Sequence, residues 1–316
     1  MYQLLQYVVR RVYESIYVFI ARVLHIINGG AIITDTERYR EFIVSVDELK
    51  RTKRESGVSG FYRVKNEEDL LEVSVESHIK YLDEIVIVYN DCSDNTPVIA
   101  KKLQEKYPNK VKVYEYPPEV YPVLSKRHML ELGRSPHSIV NYYNFTLSKT
   151  TKDIVVKIDA DHIAIDKVFE ESVKTVKRNM QNKYYFFHGV NIFECQKNNI
   201  CINAKNPFTY GLDCGFFKVK NNMYFVHRRK YESLKIPLSV YFNKENLGVL
   251  FYHLKGFKKD KGLEFLFGSE KKDSTKEAQR IIDNQLSPDL VTWDNFHHVK
   301  LENIPSPQVK LQELLH

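Results

Sequence analysis

Polar punctuation cuts the chain between Ser59 and Asp166 into short apolar runs, and their order carries the first structural information. Ser59-Gly-Phe-Tyr-Arg-Val-Lys-Asn66 reads as a short strand. From Glu67 onward, Leu70, Leu71, Val73, Val75 and Ile79 recur at near-helical spacing, and acids crowd the first turn as a helix N-terminus favours. Asp83–Tyr89 is a continuous apolar strand that stops at Asn90-Asp-Cys-Ser-Asp-Asn-Thr96, a cluster of turn and cap residues. Pro97 suits a first helical position, and that helix runs to about Tyr107. Val111–Tyr116 is a further strand, and the apolar run after Asp153 ends in Asp159-Ala-Asp-His162. The order βαβαβ…αβ predicts an α/β fold with a parallel sheet and right-handed crossovers. Its polar strand ends fall on one edge, where open sheets of this kind bind ligands.

A different pattern marks the amino terminus. Between Leu4 and Ile27, the residues Leu5, Val8, Val9, Val12, Ile16, Phe19, Ile20, Val23 and Ile27 form one helical face. Gln6, Arg10, Arg11, Glu14, Arg22 and His25 interrupt it. A spanning helix would carry those charges at high cost, and a cleaved signal needs a compact uncharged core. The stripe suits an interfacial helix with its arginines toward anionic lipid, and equally a helix packed on a globular domain. Asn28-Gly-Gly30 ends it, and Asp47–Glu55 reads as a charged connector.

Composition narrows the classes. A hydrophobic share of 43% with 12 Gly and 11 Pro in 316 residues argues for a folded α/β domain with a smaller appended element. The formal charge of +7 suits an anionic partner: a membrane surface, a nucleotide or a phosphorylated glycan. No nucleic acid partner is expected, since zinc-finger spacing and RNA-binding aromatic motifs are missing. The 4 cysteines, Cys92, Cys195, Cys201 and Cys214, are irregularly spaced and fit a reducing cytoplasm better than a disulfide framework.

Two carboxylates one residue apart, at the end of a buried strand, suit Mg²⁺ or Mn²⁺, which in turn neutralises a diphosphate. An Asp pair in that position also serves ordinary turns, so Asp159 and Asp161 gain meaning from their context. The runs Phe61–Glu67, Val88–Asp94 and Lys157–His162 together resemble those of the bacterial β-1,4-N-acetylgalactosaminyltransferases of lipo-oligosaccharide synthesis. Gly211–Gly215 and Phe251–Lys259 are similar to later segments of that family in outline. The resemblance implies a GT-A (Rossmann-like) mixed sheet and inverting, metal-dependent transfer of a sugar, N-acetylgalactosamine by expectation, from a UDP-sugar to a glycolipid or oligosaccharide. It also implies work at the cytoplasmic face of the inner membrane, as a peripheral protein.

Residue by residue, the resemblance makes Asp161 a metal ligand, with Asp159 reaching the metal, its bound water or the ribose. Asp91 accepts the uracil imide proton, and Tyr62, Arg63 and Asn66 line the base. Asp91 has an ordinary alternative duty as a helix cap, and Arg63 as partner of Glu67 or Glu68. Two carboxylates leave an octahedral ion short of ligands, so His253, followed by Lys255, Lys258 and Lys259, is the candidate third ligand, with the lysines facing the diphosphate. His162 and His188 are alternatives, and His297 and His298 join Trp293 on an acceptor-facing loop. Inversion requires a base for the acceptor hydroxyl; Asp213 in its Gly-flanked loop is the candidate, with Glu194 next. Residues 1–30 are then expected to be a membrane-associating helix, 31–58 a connector, 59–270 the catalytic domain and 271–316 a helical extension on the acceptor side.

Two other functions share some of these features. A sugar-nucleotide pyrophosphorylase needs a Gly-rich phosphate loop after its first strand, and Val64-Lys-Asn-Glu67 has no Gly. A non-catalytic glycan-binding protein at a membrane would need neither base nor metal.

Overall fold

The structure is a computed structural model, and it describes residues 2–27, 35–123, 125–196, 199–203, 209, 214–228, 231–254 and 290–292. In chain order come α1 (Tyr2–Ile27), α2 (Val46–Arg51), β1 (Glu55–Val64), α3 (Leu71–Ile79), β2 (Glu84–Tyr89), α4 (Thr96–Lys106) and β3 (Val111–Glu115). Then follow α5 (Lys126–Leu130), α6 (Ile139–Ser148), β4 (Lys152–Lys157), β5 (His162–Ala164), α7 (Asp166–Asn179), β6 (Tyr184–Gln196) and β7 (Asn199–Asn203). The remainder are β8 (Gly215–Phe217), β9 (Phe225–His227), β10 (Glu232–Leu234), α8 (Leu238–Tyr241), β11 (Lys244–Leu254) and β12 (Leu290–Thr292).

Strands β3, β2, β1 and β4 lie side by side and parallel, in that order. Beyond β4 the sheet turns antiparallel through β8 and β6 to β7 and β12, and β11 pairs with both β6 and β5. The fold is therefore mixed α/β, with a parallel half that matches the crossover pattern of the sequence.

Period-two alternation sorts the side chains of the parallel half onto two faces. Ile85, Ile87, Val58, Tyr62, Ile154 and Val156 face a core built with Leu71 and Val75 of α3, Leu103 of α4 and Phe169 and Val173 of α7. Val86, Val88, Phe61 and Val155 face the opposite core, with Tyr142, Tyr143 and Phe145 of α6. Helices on both faces explain why β2 is an unbroken apolar run rather than an alternating one.

The helix expected from Glu67 starts later, at Leu71. A turn does form at Glu67, with Leu71 N donating to its carbonyl (3.0 Å), but Leu70 at φ −125° separates it from α3; Glu67 N donates to Thr96 Oγ1 (2.6 Å) and Glu68 N to Asp94 Oδ2 (3.0 Å). Those last two contacts lace the β1 and β2 exits together.

Helix α1 touches the domain along a narrow line. Val18 is buried, Arg22 Nε donates to the Leu130 carbonyl (2.8 Å), and a second Arg22 nitrogen donates to the Glu131 carbonyl. The side chain expected to face lipid thus caps the end of α5 instead. Val9, Val12, Ile16, Phe19, Ile20 and Val23 stay exposed. Among the described residues, no helix is long and apolar enough to cross a membrane.

Candidate active site

Three strand exits meet at the carboxyl edge of the parallel half. After β1, Asn66 adopts a left-handed φ of 53°, and its Oδ1 accepts from Ser93 N at 2.8 Å. After β2, Asp91 is also left-handed at φ 44°, in a region that Asn and Asp enter more readily than other non-glycine residues. Asp94 accepts from Thr96 N at the start of α4 (2.9 Å), so the capping duty falls on Asp94. Asp91 points outward, 62% exposed, with Lys65 at 2.8 Å.

Arg63 and Tyr62 take different sides of β1. The Tyr62 ring is fully buried, with its hydroxyl between Ser74 (3.3 Å) and His78 (3.2 Å), which leaves only its backbone for a ligand. Arg63 lies over the Tyr143 ring at 4.3 Å and donates to the Tyr143 hydroxyl at 2.9 Å, with Tyr142 at 5.4 Å. Burial works against the Arg63 charge, but Tyr143 and Glu232 more than offset it. The aromatic pair fixes a guanidinium whose flexibility would otherwise blur the site.

Strand β4 ends on Lys157, a buried lysine whose ammonium pairs with Asp159 at 3.0 Å. Burial raises the Asp159 carboxyl, and Lys157 and His162 outweigh it, so the carboxyl sits below the ordinary aspartate range. Asp159 therefore stays ionised at the crevice, with about a third of its side chain (34%) exposed.

What brings His253 to Asp161 is strand pairing. β11 runs antiparallel to β5 and sets His253 opposite His162, and Leu254 N donates to the Asp161 carbonyl at 2.8 Å. Ligand atoms of Asp161, His162 and His253 all lie within 4.8 Å of one another. His253 Nδ1 lies 2.8 Å from Asn191 Oδ1, and its Nε2 lies 3.1 Å from Asp161 Oδ2. An imidazole nitrogen and a carboxylate in that apposition suit a shared cation, and an outer partner on the second ring nitrogen is the usual support of a metal-binding histidine. His162 differs: its Nδ1 accepts from Asp159 N (3.4 Å), which turns a protonated Nε2 toward the two carboxylates, 3.8 Å from each. Burial pushes its pKa down to about 3, so it stands beside the aspartates as a neutral ring. Its ring stacks on Phe251 at 3.8 Å, and Phe251 lies on Gly189, where a Cβ would stand 2.2 Å from the ring. Glycine is required there for that close approach.

Asp213, Lys255 and Lys258 lie outside the described residues, as do Trp293, His297 and His298. Glu194 falls on β6, with its side chain outside the described part. His188 sits apart from the triad and meets the Thr209 carbonyl at 2.9 Å. Sequence reasoning missed Lys157, Tyr143 and Glu232 as neighbours of Asp159 and Arg63. A lysine closing an apolar strand two residues before an acid was the one readable signal.

No curated protein sequence matches the chain. Among solved structures, glucosyl-3-phosphoglycerate synthase from Mycobacterium tuberculosis, in complex with Mn²⁺, UDP and phosphoglyceric acid, is 19% identical over 45% of this chain and 46% of its own, with a TM-score of 0.30. The match thus spans under half of the synthase. A mycobacterial protein is 14% identical over 70% of this chain and 74% of its own, with a TM-score of 0.41. The family profile described as beta-1,4-N-acetylgalactosaminyltransferase (CgtA) matches residues 25–303, most of the 316. The chain belongs to that family.

Proposed function

We propose that the protein transfers a sugar, N-acetylgalactosamine in keeping with its family, from a UDP-linked donor to a hydroxyl of a glycolipid or oligosaccharide, with inversion. The observation that carries the metal-dependent form of this reading is the apposition of His253 Nε2 and Asp161 Oδ2, 3.1 Å apart at the edge of the crevice, within a group of three possible ligand residues. Asp161 and His253 would hold Mn²⁺ or Mg²⁺, which when bound supplies Lewis-acid neutralisation of the departing diphosphate. The remaining steps belong to the chain itself. Asp91 accepts the imide proton of uracil, beside the Asn66 turn. Asp159, kept ionised by Lys157, accepts from the ribose hydroxyls. Arg63, braced by Tyr142 and Tyr143, and the lysines Lys255 and Lys258 supply positive charge to the phosphates.

The acceptor hydroxyl must lose its proton as it attacks. Asp213 is our choice of base, because β8, two residues further on, runs antiparallel to β4 and so begins at the edge where β4 ends. Glu194 is the alternative. The exposed stripe of α1 supports peripheral attachment to an anionic membrane, at the cytoplasmic face of the inner membrane. On this reading, residues 1–30 serve the membrane and 59–270 the chemistry.

The test is UDP release from a panel of UDP-sugars with a glycan acceptor, in Mn²⁺, in Mg²⁺ and in chelator. Release with one sugar that needs the cation and yields the inverted anomer is expected. Full turnover in chelator would remove the metal from the reading and leave the transferase assignment standing.

A further inference from the structure

Helix α3 buries three polar side chains on one face: Ser74, Ser77 and His78, at positions i, i+3 and i+4. Alanine would favour the helix more than serine does, and a buried hydroxyl costs stability unless it is hydrogen-bonded. The two hydroxyls are bonded, and to the same short strand. Ser74 Oγ donates to the His162 carbonyl at 2.6 Å and lies 3.5 Å from the Asp159 carbonyl. Ser77 Oγ accepts from Ala164 N at 3.0 Å and donates to the Ser74 carbonyl at 2.8 Å. From β1, the Tyr62 hydroxyl backs this pair, 3.3 Å from Ser74 Oγ and 3.2 Å from His78 Nδ1.

The register of β5 explains why hydroxyls are needed there. Among the described residues β5 pairs with β11 alone, through Leu254 N to the Asp161 carbonyl at 2.8 Å and Ile165 N to the Leu250 carbonyl at 2.9 Å. Backbone groups along an antiparallel strand point alternately toward its partner and away from it, so those of His162 and Ala164 face away from β11. Ser74 and Ser77 meet them, in the place a second neighbouring strand would take. His162 N closes the turn on the Asp159 carbonyl at 3.0 Å. The carbonyls of Asp159, Asp161 and His162 are thereby all engaged, and α3 and β11 hold the turn from opposite sides.

We infer that Ser74 is a positioning residue for the cation site, fixing the His162 carbonyl so that Asp161 stays aligned with His253, 3.1 Å away. A carboxylate is placed only as well as the backbone that carries it, and groups outside the ligand set orient the ligands themselves. β11 supplies one ligand residue, His253, whereas α3 supplies none and acts on the backbone alone. The inference rests on the metal reading of Asp161 and His253 and adds the residue that tunes it.

The test reads binding directly. Mn²⁺ is titrated into the full-length protein, alone and then with UDP against a blank of UDP without protein, and the EPR signal of the free ion is followed. Ser74→Ala should weaken Mn²⁺ binding by roughly tenfold, the lower end of what an outer partner contributes to a metal site. Ser74→Cys, close in size and with a weak S–H donor, should fall between Ser74→Ala and wild type. Thr146→Val removes another buried hydroxyl, one that donates to the Tyr142 carbonyl within α6 at 2.8 Å. It should lower the melting temperature and keep the wild-type Mn²⁺ midpoint. A wild-type midpoint in folded Ser74→Ala, or an equal loss of affinity in Thr146→Val, overturns the inference and leaves the metal reading in place. If Ser74→Ala does not fold, Ser74→Cys decides by the same criterion. Failure of the wild type to bind Mn²⁺ in either condition removes the metal reading and the inference with it.

Discussion

Glu84 opens β2 and Asp91 follows its far end, so one strand presents a carboxylate at each edge of the sheet. Glu84 is 3% exposed and fully engaged: Lys112 at 2.7 Å, Ser59 at 2.5 Å, and the backbone and hydroxyl of Thr151 at 2.7 and 2.9 Å. Asp91 is 62% exposed and left-handed, with Lys65 beside it. At the amino edge every lone pair is satisfied by the protein, as a buried charge requires. At the carboxyl edge Asp91, Asp159 and Asp161 retain exposure and face histidines, a lysine and each other. Carboxylates thus lock the sheet at one edge and keep exposed faces at the other.

Substitutions at the two edges should therefore fail in different ways. Asp161→Asn is expected to lower transfer by on the order of a thousandfold or more, the worth of several kcal/mol of charge stabilisation. Its melting temperature should match wild type; a large drop would place Asp161 with Glu84 as a structural acid. His253→Ala should raise the cation concentration needed for half-maximal turnover by roughly a hundredfold, since loss of even an outer partner costs a metal site 10–100-fold. A cation titration of activity checks this, and an unchanged midpoint would separate His253 from the metal.

At the opposite edge, Glu84→Gln should leave turnover unchanged and cost about 1–3 kcal/mol of stability, as expected when a buried charged hydrogen-bond group is lost. Burial raises the Glu84 carboxyl, but Lys112, Ser59 and Thr151 more than reverse this, so its folded pKa lies below 4.5. Its contribution is thus present in full above pH 4.5 and disappears as pH falls through the lower folded value. Urea denaturation across that window should show wild type losing stability toward acid and Glu84→Gln losing less. The smallest effect is expected from Asp91→Asn, roughly a tenfold rise in donor KM, or about 1.4 kcal/mol, with kcat nearly constant. A fall in kcat at saturating donor would move Asp91 from binding to chemistry.

Much of the parallel half was legible in the chain. Continuous apolar runs ending in turn clusters located β2 to within a residue and placed β4 just before the Asp pair, because strands buried on both faces leave that signature. The Asp pair was readable for the same reason: a strand end is a sequence feature. The start of α3 was misjudged because Leu70, at φ −125°, separates the turn at Glu67 from the helix proper. The interior position of Arg22 was equally hidden, since a helical stripe does not tell which residues will meet a neighbouring helix. His253 was proposed from the needs of a metal; its neighbour relation to Asp161 comes from a pairing between strands ninety residues apart.

By itself, the sequence determined the α/β order, the edge on which polar strand ends gather and the family, because local periodicity, turn chemistry and short motifs are properties of contiguous residues. Tertiary structure alone decided which acids are satisfied and which face the crevice, that the His253 ring lies between Asn191 and Asp161, and that two tyrosines of α6 brace Arg63. Those relations depend on strand register and on the packing of distant helices, and a side chain acquires its hydrogen-bond partners and its charge state only when that packing removes it from water.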